Sequence, residues 1–267
     1  MVIFLQTVSY EEPKWQTENS IIGESPGLGL RPGQEPDLID SSIIVFNKDS
    51  KNTDQENNWQ EWAERISSFL ESYTAAKNET KGKNCDADGI KATKDKACLF
   101  DIEKLGACGK SNYGYDQGKP CIFLKLNRIY GLENKEYNAE ELPEDMPEEL
   151  KTHIGKQTNK DQVWVHCQGK NPADKEILEN IEYYPATRGF SNNYFPYMRQ
   201  DDYLNPLVAV QFSPRLEGGR GIGQLIHIEC RAWAQNIGYN RRDKIGCTAF
   251  ELQVFDNDSI AKLNNGE

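Results

Sequence analysis

The chain reads as a mainly β protein, an immunoglobulin-like sandwich with one amphipathic helix, long loops and disulfide staples. Three observations predict this. In residues 225–234, Ile226, Ile228, Cys230 and Ala232 alternate with Leu225, His227, Glu229 and Arg231. A period of two places one set on an apolar face and the other toward water. Upstream, Val163, Val165 and Cys167 alternate in the same way with Trp164 and His166. Cys167 and Cys230 are thus expected to point inward from two strands, and a bridge between them across the core would be the inter-sheet disulfide that marks such sandwiches. The run 203–212, Tyr-Leu-Asn-Pro-Leu-Val-Ala-Val-Gln-Phe, reads as a further strand, and Gly218, Gly219, Gly221 and Gly223 after it read as a hairpin turn.

The remaining elements follow in order. Residues 6–50 have no strong period, and Pro13, Pro26, Pro32 and Pro36 predict an irregular stalk over 1–50. Within it, Gly23-Glu24-Ser25-Pro26-Gly27 matches the pattern of a nucleophile elbow. That elbow needs the backbone N–H of the residue after the serine, and Pro26 has none; the segment is a turn. Residues 54–76 carry Trp59, Trp62, Ile66, Phe69, Leu70 and Tyr73 on one helical face and Glu56, Glu61, Glu64 and Glu71 on the other. Asp54 is the expected N-cap. The acidic outer face suits a helix packed on its own domain; a helix lying on a membrane surface would carry Lys or Arg there.

Residues 77–98 read as a polar loop and 121–130 as a strand. The acidic stretch 131–161 reads as a connection with a short helix near Glu148, and 162–167 as a strand. Residues 181–203 are rich in aromatics, and Pro185 and Pro196 exclude a helix or a central strand there. Such a segment is either a lid over the core or a partner-binding patch. The last strand is 248–255, with Phe250, Leu252 and Val254 on one face, and the polar tail after Asn257 is expected to fray.

The net charge is −11. Nucleic acid and anionic membrane surfaces both call for a basic face, so neither is an expected partner. The seven cysteines include no C-x-x-C pair, which removes the usual zinc-ribbon and thioredoxin signatures. Cys85 and Cys98 have the same spacing as Cys108 and Cys121, Cys167 and Cys230 complete six, and Cys247 is left over. Spacing alone leaves the connectivity open. A disulfide framework implies an oxidising compartment, and the sequons at Asn78 and Asn257 agree with an extracellular chain. No signal peptide is visible; residues 2–5 read as the outer end of a missing membrane helix, or the sequence is truncated.

No catalytic constellation is present. His153, His166 and His227 are dispersed, the last two on faces expected to point outward. The glycines at 218–223 lack the Lys-Ser/Thr of a phosphate loop. Neither a metal nor a cofactor is expected.

The segment 113–131, Tyr-Gly-Tyr-Asp-Gln-Gly-Lys-Pro-Cys-Ile-Phe-Leu-Lys-Leu-Asn-Arg-Ile-Tyr-Gly, resembles the beta subunit family of Na⁺/K⁺-transporting ATPases. So do 203–212 and 228–239, the latter reading Ile-Glu-Cys-Arg-Ala-Trp-Ala-Gln-Asn-Ile-Gly-Tyr. The resemblance covers nearly the whole chain, weakly before residue 55. It implies the pairs Cys85–Cys98, Cys108–Cys121 and Cys167–Cys230. It also implies a glycosylated ectodomain over 51–267, with a membrane-proximal stalk over 1–50 and a single span absent from this sequence. The implied protein is not an enzyme. It escorts a catalytic alpha subunit to the plasma membrane, stabilises it and modulates its affinity for extracellular K⁺. Tyr194, Phe195, Pro196 and Tyr197 correspond to a Tyr-rich run near the alpha-facing side of that family. Phe195 and Met198 stand where the family often has tyrosines, and Cys247 has no family partner; it is expected to be a buried thiol. The alternatives are an H⁺/K⁺ pump in place of Na⁺/K⁺, and an adhesion module that binds itself or another surface protein.

Overall fold

The computed structural model describes residues 12–33, 42–51, 58–79, 82–138, 141–216 and 220–265. Its elements are β1 (Leu28–Arg31), β2 (Ile43–Asn47), α1 (Trp59–Asn78), α2 (Cys85–Asp88), β3 (Cys121–Leu126), α3 (Glu148–Lys156), β4 (Gln162–Gly169), α4 (Pro172–Ile177), β5 (Leu178–Tyr184), β6 (Gly189–Ser191), β7 (Val208–Pro214), β8 (Leu225–Trp233), β9 (Cys247–Phe255) and α5 (Asn257–Asn265). Among the described residues the strands form two sheets, ordered β1-β3-β7-β5 and β2-β9-β8-β4-β6. Their inner faces close on one core, where Phe212 of one sheet meets Phe250 of the other at 5.6 Å between ring centres. Ile122, Leu124, Val210, Ile228 and Leu252 around them are excluded from water. No helix among the described residues is long and apolar enough to cross a membrane.

The amphipathic helix forms on the predicted face: Trp62, Ile66, Leu70 and Tyr73 are buried. It begins at Trp59, where the Asn58 side chain accepts the Glu61 N–H at 2.8 Å. The expected cap, Asp54, lies outside the described residues. Several hydrogen bonds tie α1 to the body. Trp62 Nε1 donates to the Val45 carbonyl of β2 (2.8 Å), Ser67 Oγ meets Tyr113 Oη (3.1 Å), and Tyr73 Oη donates to the Asn205 carbonyl (2.9 Å).

Several expectations are corrected. The bridge Cys167–Cys230 does not join the two sheets. Its cysteines are register partners on β4 and β8, neighbours in one sheet, with Cα atoms 4.0 Å apart. Alternation identifies the face a side chain points to and leaves its neighbour open; two inward sulfurs at one level of adjacent antiparallel strands meet side by side. The Cys167 N–H points away from β8 and donates to Tyr183 Oη at 2.9 Å, as a narrow, non-hydrogen-bonded antiparallel pair requires. The expected hairpin is also absent: β7 and β8 belong to different sheets, so the glycine-bearing segment crosses between them. Gly218 and Gly219 lie outside the described residues.

The stretch read as stalk supplies β1 and β2. β1 pairs antiparallel with β3, and β2 pairs parallel with β9. The aromatic stretch begins as β5, an edge strand that ends at Tyr184, just before Pro185. The tail folds as α5, capped where Asp256 Oδ1 accepts the Ser259 N–H at 2.8 Å. His166 is on the outer face of β4, yet it is buried. That face has its own small core, in which Trp164 and its register partner Trp233 pack against Met146, Leu150 and Ile154 of the α3 region.

A buried polar cluster closes the open edge of β4. Arg188, 4% exposed, donates Nε to the Val165 carbonyl (3.0 Å), Nη1 to Glu149 (2.6 Å) and Nη2 to Tyr183 Oη (3.1 Å). Nη2 also contacts His166 Nδ1. A guanidinium has no acceptor and stays charged, so the imidazole nitrogen facing it carries no proton. Burial first, and Arg188 second, push His166 down to about 4.

Two outcomes follow from this architecture. The Cys167–Cys230 loop spans 63 residues and the other two span 13 each, worth about 4 and about 3 kcal/mol in the chain-entropy account. Cys230→Ser is therefore expected to lower the denaturation midpoint more than Cys98→Ser in parallel refolding titrations; equal losses would contradict this. Above the ordinary histidine value of 6.5, His166 is neutral folded and unfolded. Between there and about 4 the unfolded chain takes a proton that the folded chain refuses, so stability falls as pH drops through that window. The difference is about 3 kcal/mol. Urea unfolding across that window is expected to show a shallower loss in His166→Gln than in the parent.

Candidate partner interface

The segment marked by the aromatic run leaves β6 through a tight turn at 192–194, opened by the Ser191 hydroxyl accepting the Asn193 N–H at 3.3 Å. Tyr194 then points inward and is 1% exposed. Its hydroxyl donates to Asp86 Oδ2 at 2.9 Å and approaches the Leu99 carbonyl. Burial works to raise the Asp86 carboxyl, but Lys104 and Tyr194 together hold it below the usual carboxylate range. Phe195 is buried too. The Phe195–Pro196 bond is cis, and beyond it Pro196, Tyr197 and Met198 are half-buried at the surface. Gln200 clamps this bend, its Oε1 accepting the Met198 N–H (2.8 Å) and its Nε2 donating to the Pro196 carbonyl (2.9 Å).

The four expected interface residues therefore divide: Tyr194 and Phe195 anchor, while Pro196 and Tyr197 present a surface. The Tyr197 ring lies 4.9 Å from that of Tyr203, and the Arg128 guanidinium sits over both at 5.2 and 5.1 Å. Arg128 is fixed by Nε donating to Asn205 Oδ1 (2.7 Å) and Nη2 donating to the Tyr203 carbonyl (2.9 Å). Asn205 is 3% exposed, so the fork is held by a rigid partner. Sequence reading missed Arg128, Asn205 and Gln200. The available signal was Lys125 and Arg128 in an otherwise apolar run, since a cation there marks where a sheet face meets water or a partner.

This surface lies at the end of the body that residues 12–16 reach. The Tyr197 carbonyl accepts the Gly131 N–H at 2.8 Å, Gln16 Oε1 comes within 3.3 Å of the Cβ position at Gly131, and Glu12 pairs with Lys94 at 2.6 Å. Trp15, Ile21 and Ile22 of the same segment are 64%, 107% and 71% exposed.

The other marked residues are scattered. Disulfides join Cys85–Cys98, Cys108–Cys121 and Cys167–Cys230. Cys247 is a free, buried thiol; it lies on the outer side of β9, its register partner is Arg231, and burial pushes its thiol up. Asn78 ends α1 and Asn257 opens α5, both exposed, the latter accepting from Asn47 Nδ2 at 2.9 Å. The Ser25 hydroxyl accepts the Gly238 N–H at 2.9 Å, a bracket between distant loops. His227 stands 3.7 Å from Asp174. Among the described residues no three His, Cys, Asp or Glu side chains converge on a common point.

A family model for the sodium/potassium ATPase beta chain matches residues 1–250. The sodium/potassium-transporting ATPase subunit beta-2 of Drosophila melanogaster is 40% identical over 268 residues, covering 95% of this chain and 78% of the relative. The subunit beta-1 of the same organism is 40% identical over 256 residues, 93% of this chain and 77% of the relative. The human subunit beta-2 is 29% identical over 277 residues, 95% of this chain and 79% of the relative.

Removal of the Tyr194 hydroxyl tests the division of the segment. Tyr194→Phe leaves Asp86 short of one donor and is expected to lower the unfolding free energy by about 1–2 kcal/mol. An unchanged midpoint in urea would show that the hydroxyl does not anchor the turn.

Proposed function

This chain belongs to the sodium/potassium ATPase beta chain family, and from that premise we propose that it is the non-catalytic regulatory and chaperone subunit of a sodium/potassium-transporting ATPase. In this reading it stands at the extracellular side of the plasma membrane and binds the catalytic alpha subunit there. It stabilises that subunit, delivers it to the cell surface and modulates its affinity for extracellular K⁺. Asn78 and Asn257, both exposed, carry glycans.

The observation that carries the docking face is the location of Pro196 and Tyr197. They occupy the end of the body reached by residues 12–16, through Gly131 and Gln16. A chain tethered to a membrane from its N-terminal side turns that end toward the bilayer and toward a membrane-embedded partner. Modulation then needs no chemistry. A surface that contacts one extracellular conformation of the alpha subunit better than another shifts the balance by that difference in affinity.

Tyr197 is the residue to change. Tyr197→Ala removes one of the two rings under Arg128, a loss of about 1 kcal/mol of stacking and cation–π contact, and deletes exposed surface. Co-expressed with an alpha subunit, it is expected to reduce the alpha recovered by several-fold or to shift the K⁺ concentration for half-maximal transport. Parental recovery together with an unchanged K⁺ dependence would remove Tyr197 from the interface.

A further inference from the structure

We propose that Arg31, Lys125 and Arg128, gathered around the rings of Phe69, Tyr197 and Tyr203, form a docking surface for a carboxylate carried by the extracellular part of the catalytic alpha subunit. The inference deepens the partner reading above and rests on it.

The geometry comes from three elements. Arg31 closes β1 and Lys125 lies on β3, in the register Gly29↔Lys125 and Arg31↔Phe123, so both side chains leave the same face of the sheet. Gly29 lets the lysine stem lie flat across β1: a Cβ there would meet Lys125 Cγ and Cε at 3.2 Å. The Arg31 guanidinium and the Lys125 ammonium both stand over the ring of Phe69 of α1, at 5.7 and 5.9 Å. Two residues beyond β3, Arg128 covers Tyr197 and Tyr203.

The chain has 42 acidic side chains against 31 basic ones, and several of its cations pair with them. Lys104 pairs with Asp86, Arg188 with Glu149, Arg231 with Asp145 and Arg241 with Glu229. Among the described residues, no carboxylate forms an ion pair with Arg31, Lys125 or Arg128. Lys125 is held below the usual lysine range by burial first and then by the two arginines. Arg31 and Lys125 share the ring of Phe69 and Arg128 lies close enough to act on Lys125; the like charges repel one another, and an incoming anion relieves that repulsion. Arg128 spends Nε and Nη2 on Asn205 and Tyr203, and its Nη1 makes no hydrogen bond among the described residues. A fixed guanidinium edge fits a carboxylate oxygen, and the surrounding rings lower the local dielectric, which strengthens the pair. Tyr197 joins this patch directly to the docking face proposed above.

The anion comes from the partner. The acids nearest in sequence, Glu35, Asp37 and Asp40, lie outside the described residues and define the rival outcome. The full-length protein is co-expressed with an alpha subunit, captured, and treated with a carbodiimide, which joins an amine to a carboxylate already in contact. Mass spectrometry of the digest is expected to find Lys125 linked to an Asp or Glu of the alpha subunit. Lys125→Glu is expected to lower the alpha recovered by about tenfold, as the loss of a close interfacial charge pair does, and Lys125→Arg to restore it. Lys125→Gln is expected to leave the thermal midpoint of the beta protein alone unchanged or higher. A link from Lys125 to Glu35, Asp37 or Asp40, a lowered midpoint in Lys125→Gln, or undiminished recovery with Lys125→Glu would each overturn the inference. Failure of the parent protein to recover any alpha subunit would instead overturn the partner reading on which it rests.

Discussion

The pairing of β4 with β8 is the constraint on which the rest of this molecule depends. These two strands sit side by side in the five-stranded sheet, and each of their faces contributes to a core. Inward, Val163, Val165, Ile226 and Ile228 complete the sandwich core; outward, Trp164 and Trp233 complete a second one. The disulfide locks their register at one level. A slip of a single residue would turn each tryptophan into the sandwich and each sulfur out of it.

That arrangement leaves β4 with backbone groups to satisfy, because β6 covers only its first three residues. Tyr183 reaches across from the other sheet to take the Cys167 N–H, and Arg188 takes the Val165 carbonyl. A charged guanidinium is tolerated there because each side of its fork finds an acceptor, and one of those acceptors is a neutral histidine. A buried polar network of this kind is stabilising only while every member is satisfied. His166, read from the sequence as a dispersed histidine on an outward face, is part of the support of a strand.

The candidate interface uses the same devices at the surface. Tyr194 and Gln200 fix a turn from beneath, so that Pro196 and Tyr197 are presented by a rigid backbone. Asn205 and the Tyr203 carbonyl fix Arg128 in the same manner. The relatives are named as subunits of an ATPase, and among the described residues no three His, Cys, Asp or Glu side chains converge on a common point. The charge distribution then gives that surface a sign opposite to that of the chain as a whole.

Local patterns in the sequence were sufficient for the faces of β4, β8 and β9, for the buried stripe of α1 and for the family. Period and spacing are properties of adjacent residues, and burial of one face is what selects them. Neighbourhood is not local. Whether Cys167 and Cys230 sit in one sheet or two, whether Leu28–Arg31 is stalk or strand, and whether Tyr194 points out or in all depend on which distant segment supplies the other side of the contact. The edge strands β1 and β2 are four and five residues long, too short for a period to stand out, and they become strands because β3 and β9 offer them hydrogen bonds. The clustering of Arg31, Lys125 and Arg128 belongs to the same class: tertiary structure alone brings charges from β1, β3 and the loop beyond it together, two over Phe69 and one over Tyr197 and Tyr203.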